Sequence, residues 1–249
     1  MIGRRTLLFL LVGAPASTAY AAEPTPGQIV EQADAFRLPP LSASGAVKAR
    51  LRITDGQGAS ARIDSVTVWT KETSSLVLIT DGDQRGMKFL GTPNGYWLYA
   101  PHTRRAIRLT PLQLLRGQAS VGDISRLRFA QDYEARFAAP RTAMVEGRDC
   151  WALELRAKSP AATYATVRLR VAKDNHAPVD ADMILASGRK LKTVQFGAVS
   201  QIRGHAAIAA STYVDAINTA KRTTIELLDL QPAAMSAAMF RPEALATDF

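Results

Sequence analysis

The sequence predicts a mainly β (α+β) domain built on one antiparallel sheet, and three observations carry that expectation. Residues 46–53 alternate strictly, with Val47, Ala49, Leu51 and Ile53 pointing one way and Lys48, Arg50 and Arg52 the other. That period of two belongs to a strand with one buried and one wet face. Similar runs recur at short spacing, punctuated by turn formers such as Asp55-Gly56, Asp81-Gly82, Asn94-Gly95 and Glu146-Gly147. No fixed-period repeat and no linker-like stretch divides the runs, so they belong to one domain.

Taken in order, the chain opens with Arg4 and Arg5, an apolar run from Thr6 to Val12, helix-breaking Gly13 and Pro15, and then Ala19-Tyr20-Ala21. A positive start, a short apolar core and a small-x-small end make a cleavable secretory signal over residues 1–21, cut near Ala21 or Ala22. The apolar run is far shorter than the ~18–20 residues that span a bilayer. The expectation is therefore an exported, soluble mature chain, residues 22–249, working in a bacterial cell envelope. Prolines bracket a short helix over residues 28–36, where Ile29, Ala33 and Phe36 share a face.

Strands are then expected over residues 46–53, 59–71, 76–80, 87–91, 96–99 and 106–109. The alternation pauses from Thr110 to Gln131, where Leu112, Leu114 and Leu115 suggest one helical turn and residues 122–129 a second, with Asp123 as N-cap. It resumes over residues 133–138, 141–145, 150–157, 163–173, 179–186, 190–202, 206–214 and 223–230. A short Ala-Met-rich helix ends the chain, with Met235, Met239 and Phe240 able to pack on the sheet.

Composition and motifs argue against an enzyme. Removing the signal takes Arg4 and Arg5, leaving 29 basic against 22 acidic residues, a net +7. In an exported protein such a surface suits anionic headgroups or acidic partners in preference to nucleic acid, or else simply keeps the chain in solution. The lone Cys150, beside Trp151, reads as a small buried residue that forms no intramolecular disulfide. Of His102, His176 and His205 only His176 has a carboxylate at the helical i+4 spacing, Asp180, and Pro178 between them argues against a helix there; no nucleophile elbow, phosphate loop or dinucleotide fingerprint occurs. Asp81-Gly82-Asp83 reads as a hairpin turn and not a calcium loop. Asp180 and Asp182 would share one wet sheet face. No catalysis, metal or cofactor is expected.

The aromatic cluster says more. Trp69, Phe89, Tyr96, Trp97 and Tyr99 fall on neighbouring strands with Met87 beside them, and Tyr96-Trp97-Leu98-Tyr99 is apolar on both sides. A strand apolar on both sides is covered on both sides. The mid-chain segment with Leu112, Leu114, Leu115, Ile124 and Leu127 is the natural cover. The cluster is then either plain core or the wall of an internal cavity with small helices as its lid.

Residues 87–91, Met-Lys-Phe-Leu-Gly, followed by Gly95-Tyr-Trp-Leu-Tyr-Ala-Pro-His-Thr-Arg-Arg-Ala-Ile-Arg108, resemble the signature of the outer-membrane lipoprotein-sorting-like (LolA-like) proteins. The matching positions are Trp97, Leu98, Tyr99, Pro101, Arg104 and Arg105, with Arg108 continuing the basic run and Asp123-Ile124-Ser125 resembling the next segment. The resemblance implies an open half-barrel of antiparallel strands with short helices across its mouth and an apolar cavity for acyl chains. It implies a monomeric periplasmic carrier of lipid or lipoprotein between inner and outer membranes, working beside an inner-membrane exporter.

On that reading Trp69, Met87, Phe89, Trp97, Tyr99, Ile107 and Leu109 line the cavity, and Leu112 and Leu115 belong to the lid. Arg104, Arg105 and Arg108 face phosphate headgroups, in transient contact with a membrane surface, or the exporter. The alternative is an envelope-stress sensor or adaptor in which the same half-barrel binds lipid or peptide to regulate a partner.

Overall fold

The first helix is specified by its own ends. In the computed structural model, which describes residues 23–38, 46–58, 61–110, 123–124, 128–160 and 162–247, α1 spans Pro26–Arg37. Thr25 caps it reciprocally: the Gln28 amide donates to the Thr25 hydroxyl at 3.3 Å, and the Thr25 amide donates to Gln28 Oε1 at 2.9 Å. Pro26 sits where a helix needs no amide proton. The signal segment expected over residues 1–21, and Leu112 and Leu115, lie outside the described residues.

The strands follow the alternation closely. A meander of six runs through β1 (Val47–Asp55), β2 (Arg62–Lys71), β3 (Ser74–Ile79), β4 (Lys88–Thr92), β5 (Gly95–Ala100) and β6 (Arg105–Leu109). After a one-turn helix, α2 (Phe129–Asp132), a second meander runs through β7 (Tyr133–Val145), β8 (Arg148–Ala157), β9 (Thr166–Ala172), β10 (Pro178–Ile184) and β11 (Lys190–Phe196). The small hairpin β12 (Val199–Ile202) and β13 (His205–Ile208) precedes β14 (Ala210–Asp215) and β15 (Arg222–Pro232).

Among the described residues thirteen strands form one antiparallel sheet in the order β6-β5-β4-β3-β2-β1-β15-β14-β11-β10-β9-β8-β7, and it does not close into a barrel. The last strand, β15, lies beside the first, β1, and so joins the two meanders at the middle. The β1–β15 pairing is continuous except for a bulge at Arg50/Leu51. Strands β6 and β7 end the order.

Three expected boundaries changed. The runs over 190–202 and 206–214 are each broken: Gly197 and Ala198 stand opposite Ala209 and Ala210, and the far ends leave the sheet as the β12–β13 hairpin. A Cβ on Gly197 would stand 3.0 Å from the Ala210 carbonyl oxygen, so the close approach there suits glycine. Arg203 and Gly204, at φ 48° and 78°, form the tight tip of that hairpin. Conversely, the runs over 133–138 and 141–145 join into the single strand β7, whose pairing shifts between Phe137 and Thr142 around Pro140, which has no amide proton to donate. The terminal helix is two 3₁₀ turns, Ala237–Phe240 and Pro242–Ala246.

The sheet has two differently covered faces. The inner face carries α1 and α2: Ile29, Val30 and Ala33 of α1 pack on Leu153, Leu155, Val167 and Leu169. The same face continues across the other half through Ala49, Leu51, Val66, Val68 and Val77. The outer face is wet over β8–β11, where Arg170 bridges Asp180 and Asp182. These two aspartates share a face, as their spacing requires. Over β2–β5 the outer face is instead dry, because Met235, Met239, Phe240 and Leu245 fold back onto Leu76, Leu90 and Tyr99. Lys71 donates to the Met235 carbonyl at 3.3 Å and buried Lys88 to the Leu245 carbonyl at 3.0 Å, which straps the chain end in place.

Candidate functional site

Cross-strand register builds one apolar row on the inner face. Ile107 pairs with Leu98, Leu98 with Phe89, Phe89 with Val77, Val77 with Val68, Val68 with Ala49, and Ala49 with Leu230. Residues opposite one another on adjacent strands lie on the same face, so these seven side chains form one line across seven strands. The line begins in solvent, where Ile107 is 52 % exposed, and ends among buried Val68, Ala49 and Leu230. Met87 packs on the same cluster beside Phe89.

At its buried end the row borders a cavity of about 50 Å³, lined by Leu38, Ala49, Leu51, Ile124, Tyr213 and Leu230 among others. Its wall opposite the sheet is made of three pieces. They are the end of α1 with Arg37 and Leu38, the mid-chain residue Ile124, and Ile208 of the β12–β13 hairpin. Ile202 of that hairpin packs on the same cluster. The Arg203 guanidinium at its tip ion-pairs with Asp229 of β15. The hydrogen bond from Arg203 holds the Asp229 carboxyl below the usual carboxylate range.

Two buried charge pairs position the cover. Lys192 of β11 points inward at 1 % side-chain exposure, and its Nζ lies 2.9 Å from Asp123 Oδ2. The Tyr164 hydroxyl donates to Asp123 Oδ1 at 2.8 Å. Asp123 thereby anchors the residue before Ile124 to the sheet; it serves as an ion-pair partner, where the sequence suggested a helix cap. The second pair is Asp34–Arg37 on α1, at 3.2 Å. The Ala130 amide donates to Asp34 Oδ2 at 2.8 Å, and the Arg37 guanidinium lies over Phe129, so α1 and α2 are tied together. Burial pushes the Asp34 carboxyl up, against the opposing pull of Arg37 and the backbone amides.

The sheet divides the aromatic set expected to line one cavity. Met87, Phe89, Ile107 and Leu109 belong to the inner face. Trp69, Trp97 and Tyr99 do not: Trp69 pairs with Leu76, Leu90 with Trp97, and Lys88 with Tyr99, all on the outer face beneath the C-terminal strap. One sheet separates the two groups, so the seven cannot surround one ligand. The expectation that residues 96–99 are covered on both sides holds for the outer side, and the cover there comes from the chain end. On the inner side Leu98 extends the apolar row.

The basic residues stand at the sheet edge. Arg104, at φ 51°, forms the β5–β6 turn, and Arg105 and Arg108 are exposed on β6. Arg108 lies over the Trp97 ring at 5.7 Å and donates to the Asn94 carbonyl at 2.7 Å. Cys150 is fully buried, and burial pushes its thiol up, as befits a packing residue. Among the described residues no group of three or more His, Cys, Asp or Glu side chains could hold a metal.

Lys192 and Asp34 were not anticipated as parts of the site. Lys192 carried a signal: two residues before inward Val194, it occupies a core position of the alternation.

A family model whose description reads "-like: Uncharacterized protein" matches residues 71–247. No curated protein matches the chain. Among solved structures, a LolA superfamily protein from Nitrosomonas europaea is 26% identical, with a TM-score of 0.78 over 88% of this chain and 98% of that one. A domain described as that of an outer-membrane lipoprotein-sorting protein from Vibrio parahaemolyticus is 17% identical, with a TM-score of 0.70 over 88% and 98% of the two chains. A DUF1329 family protein from Desulfovibrio piger is 20% identical, with a TM-score of 0.69 over 89% and 100%.

Proposed function

We propose that this chain, which belongs to the LolA superfamily of outer-membrane lipoprotein-sorting-like proteins, is a periplasmic carrier that holds acyl chains of a lipid or lipoprotein on the inner face of its sheet. It moves them from an inner-membrane donor, an exporter of that cargo, towards the outer membrane. The observation that carries the reading is the apolar row from exposed Ile107 to buried Leu230. Strands lie about 4.8 Å apart, so a row of this kind runs roughly 29 Å across the sheet. One leaflet of bilayer hydrocarbon is about 15 Å deep. An acyl chain laid on the row therefore has length to spare.

The energetics suit carriage. Each methylene kept from water contributes about 0.8 kcal/mol, so a dozen contribute roughly 10 kcal/mol before ordering costs. Sites for ligands of such size have volumes of about 300–1,000 Å³, whereas the cavity here is about 50 Å³. Loading thus requires the cover to move: Leu38, Ile124 and the β12–β13 hairpin shift off the row as cargo replaces them. The contacts of Leu38, Ile124 and Ile202 are apolar on both sides, so there cargo exchanges one dry surface for another, while the Asp123–Lys192 and Arg203–Asp229 pairs oppose the movement. No covalent step is involved.

Two measurements test this. Mass spectrometry of organic extracts from mature protein, purified gently without detergent, is expected to find a defined lipid in stoichiometric amount. Titration with a dansylated fatty acid is expected to show saturable binding, weakened at least about tenfold in Phe89→Asp or Ile107→Asp, since one buried charge costs well over 1.4 kcal/mol. Ile107 is exposed, so its variant folds even if Phe89→Asp does not. Trp97→Asp, on the outer face, is expected to lower stability and leave the affinity of the folded fraction unchanged. A clean blank after adding envelope lipids, or unchanged binding in both inner-face variants, would sink the reading.

A further inference from the structure

We infer that the β6 edge is a docking surface for an anionic membrane, and that cargo enters the apolar row there; the second half of this inference rests on the carrier reading. Among the described residues strand β6 ends the sheet, and residues 104–108 are all exposed. Between Asp83 and Asp123 the sequence holds no acidic residue, while Arg85, Arg104, Arg105 and Arg108 are basic.

The arginines of this edge differ from three on the wet outer face, where Arg168 is likewise without an ion pair among the described residues. Arg136, Arg156 and Arg170 are each neutralised by a carboxylate, on Glu154 for the first two and on Asp180 and Asp182 for the third. Among the described residues Arg104, Arg105 and Arg108 form no ion pair. Arg85 joins them from the loop before β4, which packs against the β5–β6 turn where Gly86 meets Pro101. Asp81 and Asp83 lie in that same loop, and exposed Glu243 stands on the 3₁₀ turn Pro242–Ala246 that packs against β6, so these three carboxylates border the patch.

Charge alone would mark only a solvated edge. The second feature is Ile107, the largest exposed apolar side chain of β6, set two residues from Arg105 and so on the same side of the sheet. It is also the outermost member of the apolar row. Cations that meet lipid phosphates therefore flank the point where hydrocarbon first touches the groove. A membrane of net negative charge satisfies both features at once; an acidic protein segment would answer the charge and leave Ile107 in water.

The experiment is vesicle flotation of the mature full chain, with phosphatidylcholine alone and with phosphatidylcholine–phosphatidylglycerol mixtures. Binding is expected only to the anionic vesicles and is expected to fall as salt is raised. A basic residue near such a surface contributes about 1 kcal/mol, and 1.4 kcal/mol is tenfold. Arg104→Gln/Arg105→Gln should then partition roughly thirtyfold less. Its uptake of dansylated fatty acid from vesicle-free water should match wild type, while its uptake from anionic vesicles slows.

Equal binding to both vesicle types, binding to neither, or an unchanged double variant overturns the inference. No vesicle binding at all would hand the edge to a protein partner. If the folded double variant also loses uptake from water, the arginines serve the groove and docking is overturned. If no fatty acid binds but arginine-dependent flotation persists, docking stands and the carrier reading falls.

Discussion

Lys192 offers the sharpest test of how the cover is held over the groove. Its ammonium and the Asp123 carboxylate lie 2.9 Å apart with side chains 1 % and 3 % exposed, and Tyr164 and Tyr213 rings flank the lysine. Lys192→Met keeps most of the volume and removes the cation, so the Asp123 carboxylate stays buried without it. Removing one member of such a pair typically costs about 3–5 kcal/mol. For a domain of this size each kcal/mol moves Tm by about 2–4 °C, which puts the expected drop near 10 °C.

Replacing both members, Asp123→Leu/Lys192→Met, removes the stranded charge and should recover most of that loss, because the pair's attraction only roughly offsets its desolvation. Urea unfolding followed by far-ultraviolet circular dichroism gives the energies, and a double-mutant cycle isolates the coupling. Asp123 precedes Ile124 of the cavity wall, so the single variant should also bind a hydrophobic dye more readily at urea concentrations below its transition. The reasoning fails if Lys192→Met stays within about 1 kcal/mol of wild type, or if the two single effects simply add.

Two further outcomes are expected. Cys150, fully buried and with its thiol pushed up by that burial, should resist a thiol reagent in native protein at pH 8 and react fully in urea; fast native labelling would place it in a reactive setting instead. Asp182 is held below its ordinary value of 3.8: partial burial opposes this, but the Thr193 hydroxyl and the Arg170 guanidinium outweigh it. A depressed folded value contributes stability that is present above pH ~4 and is lost as pH falls through the folded value. The deficit of Asp182→Asn relative to wild type should therefore be largest near pH 7 and shrink below pH ~4, and a deficit that is flat with pH would refute the linkage.

Much of the sheet was legible because a strand writes its faces locally. Val47, Ala49, Leu51 and Ile53 declare an inner face without reference to anything distant, and the Glu146-Gly147 turn, at φ 49° and 78°, declares its hairpin. Charge was equally legible: Arg104, Arg105 and Arg108 are exposed, as an acid-free basic run at a strand boundary suggests. The bends were harder to see. Gly197 and Ala198 interrupt an alternation that looks unbroken, and only the approach of the Ala210 carbonyl reveals why the hairpin leaves the sheet there.

The sequence by itself determined which residues share a face, since side chains two apart on a strand must point the same way. It also determined that residues 96–99 are apolar on both faces and need two covers. What it left open was which cover lies on which side, because a two-sided apolar strand carries no local sign of in or out. The tertiary structure decided that. The chain end, held by Lys71 and Lys88, covers Trp69, Trp97 and Tyr99, which leaves Phe89, Leu98 and Ile107 to the groove face. Likewise Lys192 became a buried anchor only because Asp123, sixty-nine residues earlier, was brought to meet it. Contacts between positions so far apart exist only once the strands are paired.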